Sequence, residues 1–161
     1  MEIVIAPKFA GFCGGVKRAW KLAFHEAGQH SNPIYLSGKL IHNDPAMNEL
    51  PDMGIKVLGP DDAPPDDATL IVRAHGEGPN LYERADELGM RTVDATCSIV
   101  KAVQRRARAL EQKGYQVILF GHKNHPEAKA TIGYTDHGMI IESLDEAHQL
   151  GSYEKIAGIA Q

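Results

Sequence analysis

The sequence predicts an α/β protein of two similar lobes, each a mostly parallel sheet flanked by helices. The ligand site is expected between the lobes, at the carboxyl ends of the strands. Three observations carry this. Short runs rich in Val, Ile and Leu alternate with segments of helical spacing almost throughout the 161 residues. Helical patterns close on a glycine, at Gly89 and Gly114. The run YQVILFG at 115–121 is nearly all apolar, as a strand covered on both faces of a parallel sheet must be.

Taken in order, EIVIA at 2–6 reads as a strand, and residues 16–27 carry apolar side chains at 16, 19, 20, 23, 24 and 27, the spacing of a helix. PIYLS at 33–37 is the next strand. DPAMNELPDMG begins a short helix that Pro51 and Gly54 break, and IKVL at 55–58 is a strand. GPDDAPPDDA at 59–68 is a polar, proline-rich loop within the first lobe. TLIVRA at 69–74 is a strand, residues 80–89 a helix, and TVDA at 92–95 a strand. The longest helix is expected over 97–113, with a core stripe at 99, 100, 103, 107 and 110. The strand at 115–121, a short helix near 126–132, a strand at 139–143, a helix at 144–150 and the apolar IAGIA at 156–160 complete the alternation. The lobes divide as 1–95 and 96–161.

Composition narrows the function. Hydrophobic residues make up 43% and charged residues 24%, the balance of a soluble globular chain. Seventeen basic residues against 21 acidic ones leave a formal net charge of -4. That offers no electrostatic footprint for nucleic acid and none for a membrane surface. The opening segment has an early Glu2 and only a brief apolar stretch, unlike a signal peptide. With only Cys13 and Cys97 there is no disulfide framework, and a cytoplasmic protein with reduced thiols is expected.

The residues that follow each strand are the informative ones. Cys13 follows the first, His42 the second, His75 the fourth and Cys97 the fifth. His122, His125 and Glu127 follow the strand at 115–121. All would sit at the carboxyl end of a parallel sheet, where such folds bind ligands. Each also has a plain structural reading. A lone cysteine is usually a small packed hydrophobe, and a loop histidine is usually just solvated. A first-turn Glu127 simply complements its helix dipole. The glycines around Cys13, in GFCGGV, argue otherwise: they let the backbone approach a ligand closely. Each cysteine also precedes a helix N-terminus, whose dipole favours anions. Two such thiols, far apart in sequence, suit a metal or cluster shared between lobes. The histidines suit a phosphate group, and a carboxylate held among them suits proton transfer.

In combination, GFCGGV (11–16), IHN (41–43), AHG (74–76), DATC (94–97) and GHKNHPE with TIG (121–133) resemble the LytB-type 4-hydroxy-3-methylbut-2-enyl diphosphate reductases, in collinear order over nearly the whole chain. The resemblance implies α/β lobes around a central iron–sulfur cluster, 4Fe-4S in type. Cys13 and Cys97 would be its ligands, His42, His75 and His125 would bind the substrate diphosphate, and Glu127 would deliver protons. It implies removal of the allylic hydroxyl to give isopentenyl and dimethylallyl diphosphates, in isoprenoid biosynthesis. The electrons would come from an external donor such as ferredoxin or flavodoxin. Gly14, and the residues after Asn43, depart from the family pattern. Family members are about twice this length, with a third lobe that supplies a third cysteine. That lobe would come from the rest of a longer reductase or from a separate subunit, or the chain is a shortened relative that uses the site differently; a homodimer would gather four thiolates for a cluster at its interface. Two other readings stay open on the same residues: a non-redox diphosphate or phosphate-ester binding module, and a zinc-dependent hydrolase.

Overall fold

A computed structural model describes residues 11–29, 31–59 and 62–160. The strand expected at 2–6 lies outside them. The described chain builds two sheets, and every strand pair in both is parallel.

The first sheet has the order β2-β1-β3-β4, from β1 (Ile34–Leu36), β2 (Ile55–Val57), β3 (Thr69–Val72) and β4 (Arg91–Asp94). β3 is buried along its whole length because strands flank it and helices cover it. Helix α1 (Gly14–Gln29) lays Ala19 and Ala23 against a core that includes Leu36, Leu40, Ile41, Leu50 and Ile71. Glu26, also buried, is tied by an ion pair to Arg91 at the start of β4. The short α2 (Asp44–Met47) starts where Asn43 Oδ1 accepts the Ala46 N–H at 3.0 Å, with Pro45 just inside. The helical start is then broken as the sequence predicts: a 3₁₀ turn at Pro51–Met53 closes on Gly54, at φ +77°. α3 (Pro79–Glu87) opens on proline, and Gly89 follows it at φ +64°.

The second sheet has the order β6-β5-β7, from β5 (Gln116–Phe120), β6 (Met139–Ile141) and β7 (Ile156–Ala160). Its helices are α4 (Ser98–Gln112), α5 (Pro126–Ile132) and α6 (Leu144–His148). Gly114 ends α4 at φ +80°, and Ser143 Oγ caps α6 by accepting the Glu146 N–H at 3.2 Å. Among the described residues β7 is an edge strand, its residues alternating between exposed and half-buried, quite unlike β3. The Lys155 carbonyl accepts the Gln116 N–H at 2.9 Å, so alternate residues turn their N–H and C=O toward β5. Those of Ile156, Gly158 and Ala160 face outward.

Three core expectations are corrected. Ile99 is 73% exposed: of the expected stripe Val100 and Ala107 are buried, with Gln104 between them, and Ile99 turns outward. Phe120 is 49% exposed, since it ends β5 at the rim and not between the layers. Phe24 is exposed on α1, where it stacks on Trp20 with ring centroids 5.3 Å apart.

Among the described residues no helix is long and apolar enough to cross a membrane.

Candidate active site

In the first sheet, β1 has β2 on one side and β3 on the other, so the chain crosses over between β1 and β3. A parallel sheet opens a crevice outside the carboxyl ends of two such strands. His42 stands in the loop after β1 and His75 in the turn after β3. Their ring centroids are 4.2 Å apart. β5 of the second sheet leads into His125, whose ring lies 5.6 Å from that of His42 and 6.1 Å, edge-on, from that of His75. Three imidazoles from loops of both sheets therefore share one place.

Each is held by its own backbone. His125 caps α5: its Nδ1 accepts the Glu127 N–H at 3.3 Å, so the neutral ring carries its proton on Nε2. His75 sits in a turn closed by the Gly76 N–H donating to the Arg73 carbonyl at 3.0 Å, with Gly76 at φ +75°. Its Nδ1 is buried without a hydrogen-bond partner among the described residues. Burial pushes the His75 pKa down from 6.5 to about 4, and the positive charges of His42, Arg73 and His125 push it the same way. His75 is therefore neutral at pH 7.

A folded pKa below the unfolded one contributes stability that is full above pH 6.5 and is lost as pH falls toward 4. After discounting for partial exposure, the loss attributable to His75 is about 1–2 kcal/mol. The midpoint of denaturant unfolding should thus fall further between about pH 7.5 and about pH 4.5 in the native chain than in His75→Gln. Equal falls would remove this account of His75.

The cysteines occupy matching positions. The Cys13 carbonyl accepts the Lys17 N–H at 2.9 Å to start α1, and the Cys97 carbonyl accepts the Lys101 N–H at 3.0 Å to start α4. Both thiols are free, Cys13 exposed and Cys97 half-buried. A Cβ placed on Gly15 would stand 2.6 Å from Cys97 Sγ. The second sulfur thus packs on the helix that the first cysteine opens, two residues from it. Arg18 fixes the approach: its guanidinium donates to the Thr96 carbonyl at 3.2 Å and the Asp94 carbonyl at 3.3 Å. Asp94 in turn accepts the Thr96 N–H at 2.9 Å and pairs with Lys101 at 2.5 Å. Burial raises its carboxyl, but those contacts outweigh it and hold the pKa below the ordinary range.

Not every expected residue joins. His122 is largely exposed and faces the Glu142 carboxylate at 3.6 Å. Glu127 starts α5 beside His125 and is half-buried, bordering a small hollow with Val103, Leu119 and Ile159. Arg73, Glu77 and Gln104 were not expected. Arg73 and Glu77 carried a signal, opposite charges four residues apart on either side of His75. A larger groove of about 510 Å³ lies between α3 and α4, lined by Tyr82, Lys101, Arg108 and Tyr134 among others; neither cysteine and none of the three histidines lines it.

Among the described residues no three His, Cys, Asp or Glu side chains converge as metal ligands. Cys13 and Cys97 are two of the three thiols that the resemblance implies for a cluster.

A family model described as LytB protein matches residues 3–161. A 4-hydroxy-3-methylbut-2-enyl diphosphate reductase of Geobacter metallireducens is 39% identical over 163 residues, covering 100% of this chain and 56% of the relative. The enzyme of the same name from Aquifex aeolicus is 36% identical, again over 100% of this chain and 56% of its own length. The chain thus spans little more than half the length of these curated relatives. A solved structure of (E)-4-hydroxy-3-methyl-but-2-enyl diphosphate reductase superposes with a TM-score of 0.88 at 35% identity, covering 98% of this chain and 57% of that one. The E-1-hydroxy-2-methyl-but-2-enyl-4-diphosphate reductase of Plasmodium falciparum superposes at 0.90 and 30% identity, covering 96% and 49%. With a family model matched over residues 3–161, the chain belongs to the LytB protein family.

Proposed function

We propose that this chain carries the diphosphate grip and two thiolate ligands of an iron–sulfur reductase. Its reaction removes the allylic hydroxyl of 4-hydroxy-3-methylbut-2-enyl diphosphate. Two electrons and two protons enter, water leaves, and isopentenyl and dimethylallyl diphosphates form. The observation that carries the reading is the cluster of His42, His75 and His125 at the strand ends. The relatives named for this reaction support it.

The residues divide the work. The Nε2–H of His125 and the rings of His42 and His75 offer donors to phosphoryl oxygens. Partial burial strengthens those contacts relative to water. Glu127 is the proton donor of the reading, placed one residue beyond the proline that follows His125. Cys13 and Cys97 would hold an iron–sulfur cluster, with Gly15 leaving room for the second sulfur. When bound, that cluster supplies the electrons. Its remaining ligands come from outside the described residues, from further polypeptide or from a second copy. Residues 1–95 and 96–161 serve as the two lobes, and an external electron donor working in the cytoplasm completes the scheme.

The histidine cluster alone serves one second reading, a diphosphate-binding module without redox chemistry. The two separate cleanly. Anaerobically prepared protein should bind inorganic diphosphate by calorimetry, lose it in His42→Ala/His125→Ala, and carry iron and acid-labile sulfide that Cys97→Ser loses. Diphosphate binding without iron, unchanged by Cys97→Ser, selects the module. No diphosphate binding by the native chain removes both.

A further inference from the structure

His42 and His75 come from different loops, so something must set the 4.2 Å between their rings. Most of the contacts described between the two loops run through one residue that the reductase reading does not use. The Arg73 N–H donates to Ser37 Oγ at 3.2 Å. Its guanidinium lies on Gly38, where an added Cβ would stand 2.7 Å from one terminal nitrogen and 3.1 Å from the central carbon. Its Nε pairs with Glu77 Oε1 at 2.6 Å, an ionic contact without the alignment of a hydrogen bond. Both side chains are mostly buried, at 18% and 14% exposure. Arg73 and Glu77 stand two residues before and two after His75, so the pair closes over the turn that carries it. Next along, the Ala74 N–H donates to the Leu40 carbonyl at 3.1 Å, two residues short of His42.

We propose that the Arg73–Glu77 ion pair is a positioning clasp. It holds the 73–77 turn against the 37–42 loop and so fixes the spacing at which His42 and His75 grip one phosphoryl group. The claim deepens the diphosphate-binding reading and rests on it. Removing one charge leaves the other buried without its partner, and the turn must open to hydrate it. Neither residue is assigned a contact with the ligand.

The test uses Glu77→Gln, Arg73→Met and the exchanged double variant Arg73→Glu/Glu77→Arg. Each single variant should weaken binding of inorganic diphosphate about tenfold. Each should also lose the nuclear Overhauser contact between the His42 and His75 ring protons. The exchanged pair should regain the ring contact and return the affinity to within about threefold of native. An Arg73 that touched the ligand itself would not be replaced by glutamate, so an exchanged pair no tighter than the singles overturns the clasp. Native affinity and an intact ring contact in the singles overturn it as well. A native chain that binds no diphosphate removes the functional reading instead, and the ring contact then decides the clasp on its own.

Discussion

Gly76→Ala should destabilise the chain by about 2–4 kcal/mol, the largest single effect expected around the site. Two terms add. At φ +75° an L side chain costs about 1–2 kcal/mol through its own backbone. The new Cβ would also stand 2.6 Å from Gln104 Nε2 and 2.9 Å from Thr96 Cγ2. Neither neighbour can swing into solvent, since Gln104 is 4% and Thr96 1% exposed. Overpacking of this kind costs about 1–3 kcal/mol, and the stiffer unfolded chain returns only a few tenths to about 1. Gly54→Ala isolates the first term, because its φ is +77° and nothing lies within 4 Å of the added carbon. Denaturant unfolding of both variants reads the difference. Equal losses at the two sites would mean that packing beneath the His75 turn contributes nothing.

Gly15→Ala should do the opposite: little to stability, and most of its damage to one sulfur. Gly15 lies inside α1, so alanine gains up to about 1 kcal/mol of helix propensity. Against this, the added Cβ would stand 2.6 Å from Cys97 Sγ and 3.1 Å from Cys97 Cβ, a crowding that costs about 1–3 kcal/mol. The terms nearly cancel, and the side chain with most freedom to yield is the thiol. Cys97 should therefore turn away from α1, lose the iron that the proposed function assigns to the anaerobic protein, and alkylate faster in mass-spectrometric labelling. Gly14→Ala is the control, with nothing within 4 Å of its new carbon. If Gly15→Ala and Gly14→Ala label and hold iron alike, the close approach of Cys97 to α1 has no bearing on the metal.

Much of this was readable in the sequence, and for physical reasons. The order of strands and helices follows from hydrophobic period and from punctuation by Gly and Pro, both local signals. The rim also followed, because a parallel sheet puts every strand-end loop on the same side. So His42, His75 and His125 were found before their rings were seen to meet. What failed was finer. The stripe of α4 holds at Val100 and Ala107 but wrongly takes in Ile99 and misses Gln104, which, being polar, does not register in a hydrophobic pattern, yet is buried. His122 and His125 look alike in GHKNHPE; the cap that His125 forms on α5 and the approach of its ring to those of His42 and His75 separate it from the exposed His122. Arg73 looked like the tail of an apolar strand, because an ion pair folded over a turn is a three-dimensional fact.

The outward-facing amides of Ile156, Gly158 and Ala160 have a consequence of their own. Among the described residues this row meets no further strand, and beside an exposed Ile156 it is a template with which an extended peptide can pair. An extended segment added along that row would lengthen the second sheet by one strand, and would cover Ile156 as it did so.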